Sequence, residues 1–350
     1  MEQFVNAVPI WAVVVLLVVG FVLLIKGADC FVDGSSSVAK RFHVPSIIIG
    51  LTIVAMGTSL PELSVSVSAA IIGNNELAVS NVVGSNIFNL MVVIGVCGVL
   101  KSITVAKQTI TKDIPLSIVC AVLLAVLGGL AIGDASGMTI GRIDGIVLLI
   151  IFVCYIASMI RQVKNVKKEN NAVDATAKDK DAGNEAIEEF TEAAEEVDEI
   201  KVLSPLKSFL FIILGIAAIV IGGDLTVDSA SRIATELGMS QTLIGLTIVS
   251  IGTSLPELVT SIVAAHKDEV DLALGNAVGS NIFNILMILG VAAVISPMGL
   301  ITENLIDIAV LVAFSLIVWL FSATKKRIGK AEGLIMILLY AVYAVYICIR

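Results

Sequence analysis

The amino-acid sequence predicts an all-α membrane protein of ten transmembrane helices, built as two inverted five-helix repeats with broken second and seventh helices. Of its 350 residues, 57% are hydrophobic and 15% charged, and the mean hydropathy is +1.02, which is typical of a chain embedded in a bilayer. Uncharged runs of membrane-spanning length recur, for example 7–25, 77–100, 114–133 and 272–302. An internal repeat is the third observation that supports this architecture.

The two halves of the chain carry the same pair of motifs. GLTIVAMGTSLPEL at 50–63 recurs as GLTIVSIGTSLPEL at 245–258, and GSNIFN at 84–89 recurs at 279–284, each 195 residues later. A single offset over this length indicates an internal duplication. The predicted domains are a first five-helix repeat at 1–160 with its motifs at 50–89, a cytoplasmic acidic loop at 161–204, and a second, inverted repeat at 205–350 with its motifs at 245–284.

The predicted spans follow the apolar runs in order. They run from about Val8 to beyond Asp29, then over 44–73, 76–100, 113–132 and 141–160, and in the second half over 206–231, 239–265, 270–295, 303–323 and 331–349. The second and seventh spans should break, because Pro61 and Pro256 have no N–H for the preceding turn and their rings crowd it. Since each half has an odd number of spans, the second half should cross the membrane in the opposite direction.

The distribution of Lys and Arg predicts the orientation. With the N-terminus outside, eighteen of these residues fall in inside connections and three in outside ones. The positive-inside rule therefore places both termini outside a cytoplasmic membrane and the central loop in the cytoplasm. That loop has the composition of a disordered segment, except for 185–200, where apolar residues at helical spacing predict a short amphipathic helix. The sequence has no basic stripe of the kind that binds nucleic acid. The lipid bilayer is the predicted environment, and no protein partner is evident.

Glu62 and Glu257 are the carboxylates around which the function is predicted. Each lies within a long apolar span, where a charged side chain costs at least ~2.5–3.5 kcal/mol and needs a partner or a function. One alternative is structural: Ser59 and Glu62 fit a capping box at a restarting helix. Two apposed carboxylates repel unless a cation or protons intervene, so we expect cation binding.

Polar residues on the third and eighth spans add further oxygen donors. Asn81, Ser85 and Asn89 share one helix face at i, i+4 and i+8, and the second repeat carries the same set 195 residues later. The alternative for this stripe is hydrogen bonding between helices. The predicted cation ligands are Glu62, Glu257, Thr58, Thr253, Ser59, Ser254, Ser85, Ser280, Asn89, Asn284 and the carbonyls of Ala55 and Ser250. These hard oxygen donors suit Ca²⁺ or Na⁺ and disfavour zinc, copper and iron. No catalytic residue and no cofactor is predicted.

The paired GTSLPEL and GSNIFN blocks resemble the alpha-repeats of the sodium/calcium exchangers, in the cation/Ca²⁺ antiporter superfamily. The resemblance implies Na⁺/Ca²⁺ antiport by alternating access, with three Na⁺ exchanged for one Ca²⁺ and the first and sixth helices sliding over the other eight. It also implies that the ten side chains named above are ion ligands. Some members, including potassium-dependent ones, carry Asp at the position of Asn284, so this sequence argues against potassium dependence.

Three other functions remain open at this point. H⁺/Ca²⁺ exchange is possible because two apposed carboxylates can trade a cation for protons. An ion channel is a second alternative, and it would show no coupled counterflow. An intramembrane hydrolase is a third; it would need a nucleophile with a base, and the two histidines that could serve as the base, His43 and His266, are predicted to lie in connections. Asp29 and Asp33 recur as Asp224 and Asp228 near the ends of their spans, where we expect interfacial positions.

Overall fold

The computed structural model describes residues 2–42, 44–73, 75–129, 139–177, 202–239, 248 and 250–349, and these are predominantly helical. In chain order the helices are α1 Glu2–Ala7, α2 Ile10–Phe42, α3 Ser46–Thr58, α4 Leu60–Ile71, α5 Glu76–Leu100, α6 Thr109–Gly129, α7 Arg142–Ala177, α8 Pro205–Glu236, α9 Ser250–Gly252, α10 Leu255–His266, α11 Val270–Ile295, α12 Thr302–Lys325 and α13 Lys330–Ile349. Within them Gly50–Val54, Asn89–Val93, Thr109–Asp113 and Asn284–Ile288 are wound as π-helix.

The prediction of an all-α membrane protein is confirmed. Among the described residues, eight helices are long and apolar enough to cross a membrane, and the bent pair α3–α4 makes a ninth. Ten spans are compatible with this count, since part of the seventh predicted span, 239–265, lies outside the described residues. The short helix predicted at 185–200, in the central loop, lies wholly outside them.

Two helix ends differ from the predicted ones. A short helix, α1, precedes the first span and ends before Pro9, whose ring disfavours helical geometry in the residue before it. Helix α7 continues past the predicted end at 160, through 161–177. No glycine or proline interrupts 146–182, and Lys, Glu and Ala there favour helix, so nothing local ends it at the membrane boundary.

Helices α5 and α11 form the centre of the protein. In each, 78% of the most apolar window is buried, compared with 17% in α13 and 22% in α2. The outer helices instead expose large apolar side chains such as Trp11, Val153 and Val342, as a lipid-facing surface requires. Two short antiparallel ribbons join the repeats at their ends: β1 (Ile103–Thr104) pairs with β4 (Arg327–Ile328), and β2 (Thr139–Ile140) with β3 (Met298–Gly299).

Helices α2 and α8 pack against each other along a seam of glycines. A Cβ on Gly27 would lie 3.0 Å from the carbonyl oxygen of Gly215, and one on Gly222 would lie 2.8 Å from that of Gly20. Small residues allow such close backbone approach between membrane helices. The contacts run in opposite directions along the two helices, which open equivalent repeats. The predicted inversion of the second repeat is therefore confirmed at this pair.

Ion pairs join α2 to the turn that follows α10. Lys267, in the turn after α10, lies 2.6 Å from Asp33 Oδ1 and 3.4 Å from Asp29 Oδ1. Both aspartates are partly exposed, and their interfacial placement stays a prediction. The residue equivalent to Lys267 in the first repeat is Ile72, which is exposed, so Asp224 of α8 has no lysine at the matching position.

The glycine seam predicts opposite outcomes for two adjacent substitutions. In Gly222→Ala the new Cβ would meet the carbonyl of Gly20 and the amide of Leu24, both at 2.8 Å, whereas a Cβ on Gly223 meets nothing closer than Pro256 Cγ at 3.7 Å. Overpacking of this kind costs about 1–3 kcal/mol. We expect Gly222→Ala to lower the midpoint of thermal unfolding in detergent.

Gly223→Ala is the matched control. It should leave the midpoint unchanged or raise it, because Ala is favoured over Gly inside a helix by about 0.5–1 kcal/mol. Equal destabilisation by both substitutions would contradict a backbone contact specific to Gly222.

Candidate cation-binding site

The break predicted in the second span lies at Ser59. Helices α3 and α4 meet there at an angle of 49°, and Pro61 occupies the first turn of α4, where its missing N–H leaves no helical hydrogen bond unmade. In the second repeat Ser254 precedes α10 and Pro256 occupies its first turn. Each break places a serine and, one turn later, a glutamate at the interface between the repeats.

Neither of these serines caps its own helix. Ser59 Oγ donates to Glu257 Oε1 at 2.7 Å, and Ser254 Oγ donates to Glu62 Oε1 at 3.1 Å. Neither N-cap side chain hydrogen-bonds to its own helix, so the capping-box interpretation of Ser59 and Glu62 is wrong. Each carboxylate is held by a serine of the opposite repeat, and both carboxylates are fully buried.

The central helices supply a second hydroxyl to each carboxylate. Ser85 of α5 donates to Glu62 Oε1 and Ser280 of α11 donates to Glu257 Oε1, both at 3.4 Å. These contacts lie within a repeat, whereas those of Ser59 and Ser254 cross between repeats. Each Oε1 therefore accepts from two serines, one from each repeat, and the Oε2 of the same carboxylate remains open.

Asn81 and Asn276 connect the broken helices to the central ones. The Nδ2 of Asn276 lies 3.3 Å from the carbonyl of Glu257 and 3.0 Å from Ser261 Oγ, and its Oδ1 accepts from Thr58 Oγ1 at 3.1 Å. Asn81 makes the equivalent three contacts at 3.3, 2.9 and 3.4 Å. Asn81 and Asn276 therefore fit the alternative given for the polar stripe, which is hydrogen bonding between helices. The Oδ1 atom of each amide already accepts a hydrogen bond.

Four asparagines form hydrogen bonds between α5 and α11, and two of them, Asn89 and Asn284, lie one helical turn after the serines that donate to the carboxylates. Asn89 Nδ2 donates to Asn281 Oδ1 at 3.3 Å, and Asn284 Nδ2 donates to Asn86 Oδ1 at 3.0 Å. Asn89 and Asn284 each begin a π-helical segment, a feature frequent at functional sites. Sequence reasoning missed Asn86 and Asn281, because they lie off the i, i+4, i+8 stripe; their recurrence within GSNIFN was the available signal.

Among the predicted side-chain ligands, four buried oxygens have no hydrogen-bond partner among the described residues: Glu62 Oε2, Glu257 Oε2, Asn89 Oδ1 and Asn284 Oδ1. They are two pairs of equivalent atoms, one of each pair from each repeat. Leaving a buried carboxylate oxygen without a donor or counter-ion is costly. Acceptor oxygens without donors are the groups that a hard cation coordinates.

The charge of the region points the same way. The groups that the described residues offer to the two carboxylates are neutral hydroxyls and backbone N–H groups, with no lysine or arginine among the donors. Two ionised carboxylates would therefore carry an uncompensated charge of about −2.

Helices α2 and α8 cover both breaks: Gly57 faces Phe31 and Ile216, and Gly252 faces Val227.

The predicted backbone ligands are placed differently from the side chains. The carbonyl of Ala55 accepts the N–H of Ser59 at 3.1 Å, so the break at Pro61 does not leave this predicted ligand without a helical partner. Pro61 lacks the N–H that the carbonyl of Gly57 would accept in a continuous helix. The missing donor therefore affects the turn that begins with Gly57 and not the one that begins with Ala55. Ser250 begins α9, and the N–H of Ser254 donates to the carbonyl of Ile251. Ligation by the carbonyls of Ala55 and Ser250 stays a prediction.

Comparison with known proteins gives a family. The chain matches the model described as sodium/calcium exchanger protein over residues 12–161 and 207–349. It is 39% identical to the putative antiporter CaxA of Alkalimonas amylolytica, over 94% of this chain and 96% of that protein. It is 30% identical to the sodium/calcium exchanger MaX1 of Methanosarcina acetivorans, over 94% and 97%.

A solved structure of the sodium-calcium exchanger NCX_Mj, soaked with Na⁺ and Sr²⁺, is also similar. Its TM-score is 0.76 at 31% sequence identity, and the match covers 95% of this chain and 98% of that one. These matches span both repeats and every helix that contributes to the four open oxygens. The chain belongs to the sodium/calcium exchanger family, a family of transporters.

Proposed function

We propose that this protein exchanges Na⁺ for Ca²⁺ across the cytoplasmic membrane, by alternating access to a site built on Glu62 and Glu257. The observation that carries the proposal is the set of four buried, unpartnered oxygens, two carboxylate and two amide, contributed equally by the two repeats. In this proposal Thr58, Ser59, Ser85 and their equivalents in the second repeat complete the ligand set. Family membership supports Ca²⁺ and Na⁺ as the transported ions.

Competition between the two ions follows from a shared site. A charge of about −2 is neutralised by one Ca²⁺ or by two Na⁺, and a third Na⁺ would leave a surplus positive charge. We propose that three Na⁺ exchange for one Ca²⁺, so that one net charge crosses the membrane in each cycle. The termini would lie outside and the loop at 161–204 in the cytoplasm, as the Lys and Arg distribution supports.

Replacing either buried carboxylate should remove Ca²⁺ binding without unfolding the protein. In Glu62→Gln or Glu257→Gln the amide keeps the shape but loses the charge that offsets dehydration of Ca²⁺. An unmatched buried charge costs about 3–5 kcal/mol, so we expect the Ca²⁺ affinity to fall by about a hundredfold or more. The measurements are radiolabelled Ca²⁺ uptake and the Ca²⁺-dependent rise in the thermal unfolding midpoint.

The matched control is Glu76→Gln, which removes one charge from an exposed position in the first turn of α5. It should leave uptake and the Ca²⁺-dependent thermal shift at wild-type values. Without Ca²⁺, the two buried variants should unfold at or above the wild-type temperature, since each loses a carboxylate that lacks a counter-ion. Near wild-type uptake by either folded variant would show that its glutamate is not a ligand.

The coupling ion and the net charge can be measured in proteoliposomes. We expect a Na⁺ gradient to drive Ca²⁺ movement, and an inside-negative potential, clamped with a K⁺ ionophore, to accelerate Na⁺-driven Ca²⁺ export. One charge per cycle is worth ~2.3 kcal/mol per 100 mV, which changes the equilibrium Ca²⁺ ratio about fiftyfold. Flux that ignores the potential would establish electroneutral exchange. Flux that follows an imposed pH gradient and persists without Na⁺ would establish H⁺/Ca²⁺ exchange.

A further inference from the structure

Asn86 and Asn281 contact the predicted ligands without being ligands themselves. They are 0% and 1% exposed, and both ends of each amide are hydrogen-bonded. Asn86 Nδ2 donates to the backbone carbonyl of Asn281 at 3.2 Å, and Asn281 Nδ2 donates to the backbone carbonyl of Asn86 at 3.1 Å. Their Oδ1 atoms accept from Asn284 and Asn89 respectively, at 3.0 and 3.3 Å.

This arrangement determines the direction of all four amides. A backbone carbonyl can only accept, so the end of Asn86 that faces the carbonyl of Asn281 must be the NH₂ group. The Oδ1 of Asn86 therefore faces Asn284, and Asn284 must present its own NH₂ to that oxygen. The Oδ1 of Asn284 is then the end of the amide that is left without a partner, and the same argument applies to Asn89.

Reversing a ligand amide would have two costs. The Oδ1 of Asn284 would then face the Oδ1 of Asn86, two acceptors without a proton between them. The NH₂ group would replace the open oxygen, and amide hydrogens repel a cation. Asn86 and Asn281 thus favour the orientation of Asn284 and Asn89 that leaves an oxygen open, over the orientation that would present an NH₂ group to a cation.

We propose that Asn86 and Asn281 are positioning residues, which hold the Oδ1 atoms of Asn284 and Asn89 toward the transported cation by accepting their NH₂ groups. This inference rests on the proposed function, in which Asn89 and Asn284 are ligands. It assigns a role in ion affinity to two residues that do not touch the ion. Each acts across the repeat boundary, on the ligand of the other repeat.

The test is a double-mutant cycle that removes the need for orientation. In Asn86→Leu the side chain keeps a similar size but cannot accept from Asn284, whose amide is free to turn. In Asn284→Asp the ligand has two acceptor oxygens, so either orientation presents one oxygen to the cation. The other oxygen then meets Asn86 Oδ1 without a proton between them, a repulsion that Asn86→Leu removes. The readout is the Ca²⁺ dissociation constant, measured by titration calorimetry on the purified full-length protein in Na⁺-free buffer.

We expect Asn86→Leu to raise the Ca²⁺ dissociation constant about tenfold when residue 284 is Asn, and about threefold or less when it is Asp. The equivalent cycle, Asn281→Leu with Asn89→Asp, should behave in the same way. A purely structural role would give equal costs in both backgrounds, and that result would overturn the proposal. Failure of both leucine variants to fold would also overturn it, since the amides would then serve to hold the helices together.

The control is Asn304→Leu. Asn304 is 1% exposed and hydrogen-bonded to Ser80 Oγ and to the N–H of Ile301, away from the carboxylates. It should lower the unfolding temperature and leave the Ca²⁺ dissociation constant unchanged. Absence of Ca²⁺ binding and flux in the wild-type protein would refute the proposed function. Wild-type binding with no effect of Asn86→Leu would refute the positioning role alone.

Discussion

Two buried carboxylates without a cationic partner among the described residues are the constraint on which the rest of this structure depends. Glu62 and Glu257 are fully buried, and the described groups that hydrogen-bond to them are neutral. In a low-dielectric interior such a pair is costly while empty and is stabilised by a bound cation. A site of this kind disfavours releasing one ion without capturing another. Under the proposed function, the same electrostatics that bind the ion also couple the two fluxes.

The local sequence explains how these carboxylates come to share one site. Pro61 and Pro256 break their helices, and each break turns a serine away from its own helix toward the opposite repeat. Because each serine bonds to the other repeat's glutamate, neither half can form the complete site alone. The glycine seam between α2 and α8 brings two long helices close together over the breaks. Packing between the halves and ion chemistry are therefore set by the same few residues.

The fold and most residues of the candidate site could be predicted from the sequence, because the same two motifs occur in both halves of the chain. A buried charge, a proline in an apolar run and a polar stripe at helical spacing are local signals. The crossing of Ser59 to Glu257 was not predictable, since a capping box and an interhelical contact share one sequence pattern. Asn86 and Asn281 escaped for a similar reason: their role depends on which carbonyl lies opposite. The one-sided Lys267 contacts break a symmetry that the motifs preserve.

The contacts between the halves have the form of an isologous interface. Ser59 binds Glu257 while Ser254 binds Glu62, and Asn86 and Asn281 exchange the same bond in both directions. Such reciprocity is the signature of a twofold-symmetric dimer. Here both partners belong to one polypeptide, and the axis lies in the membrane plane because the repeats are inverted. The geometry is the one that two separate copies of a five-helix protein, inserted in opposite orientations, would form.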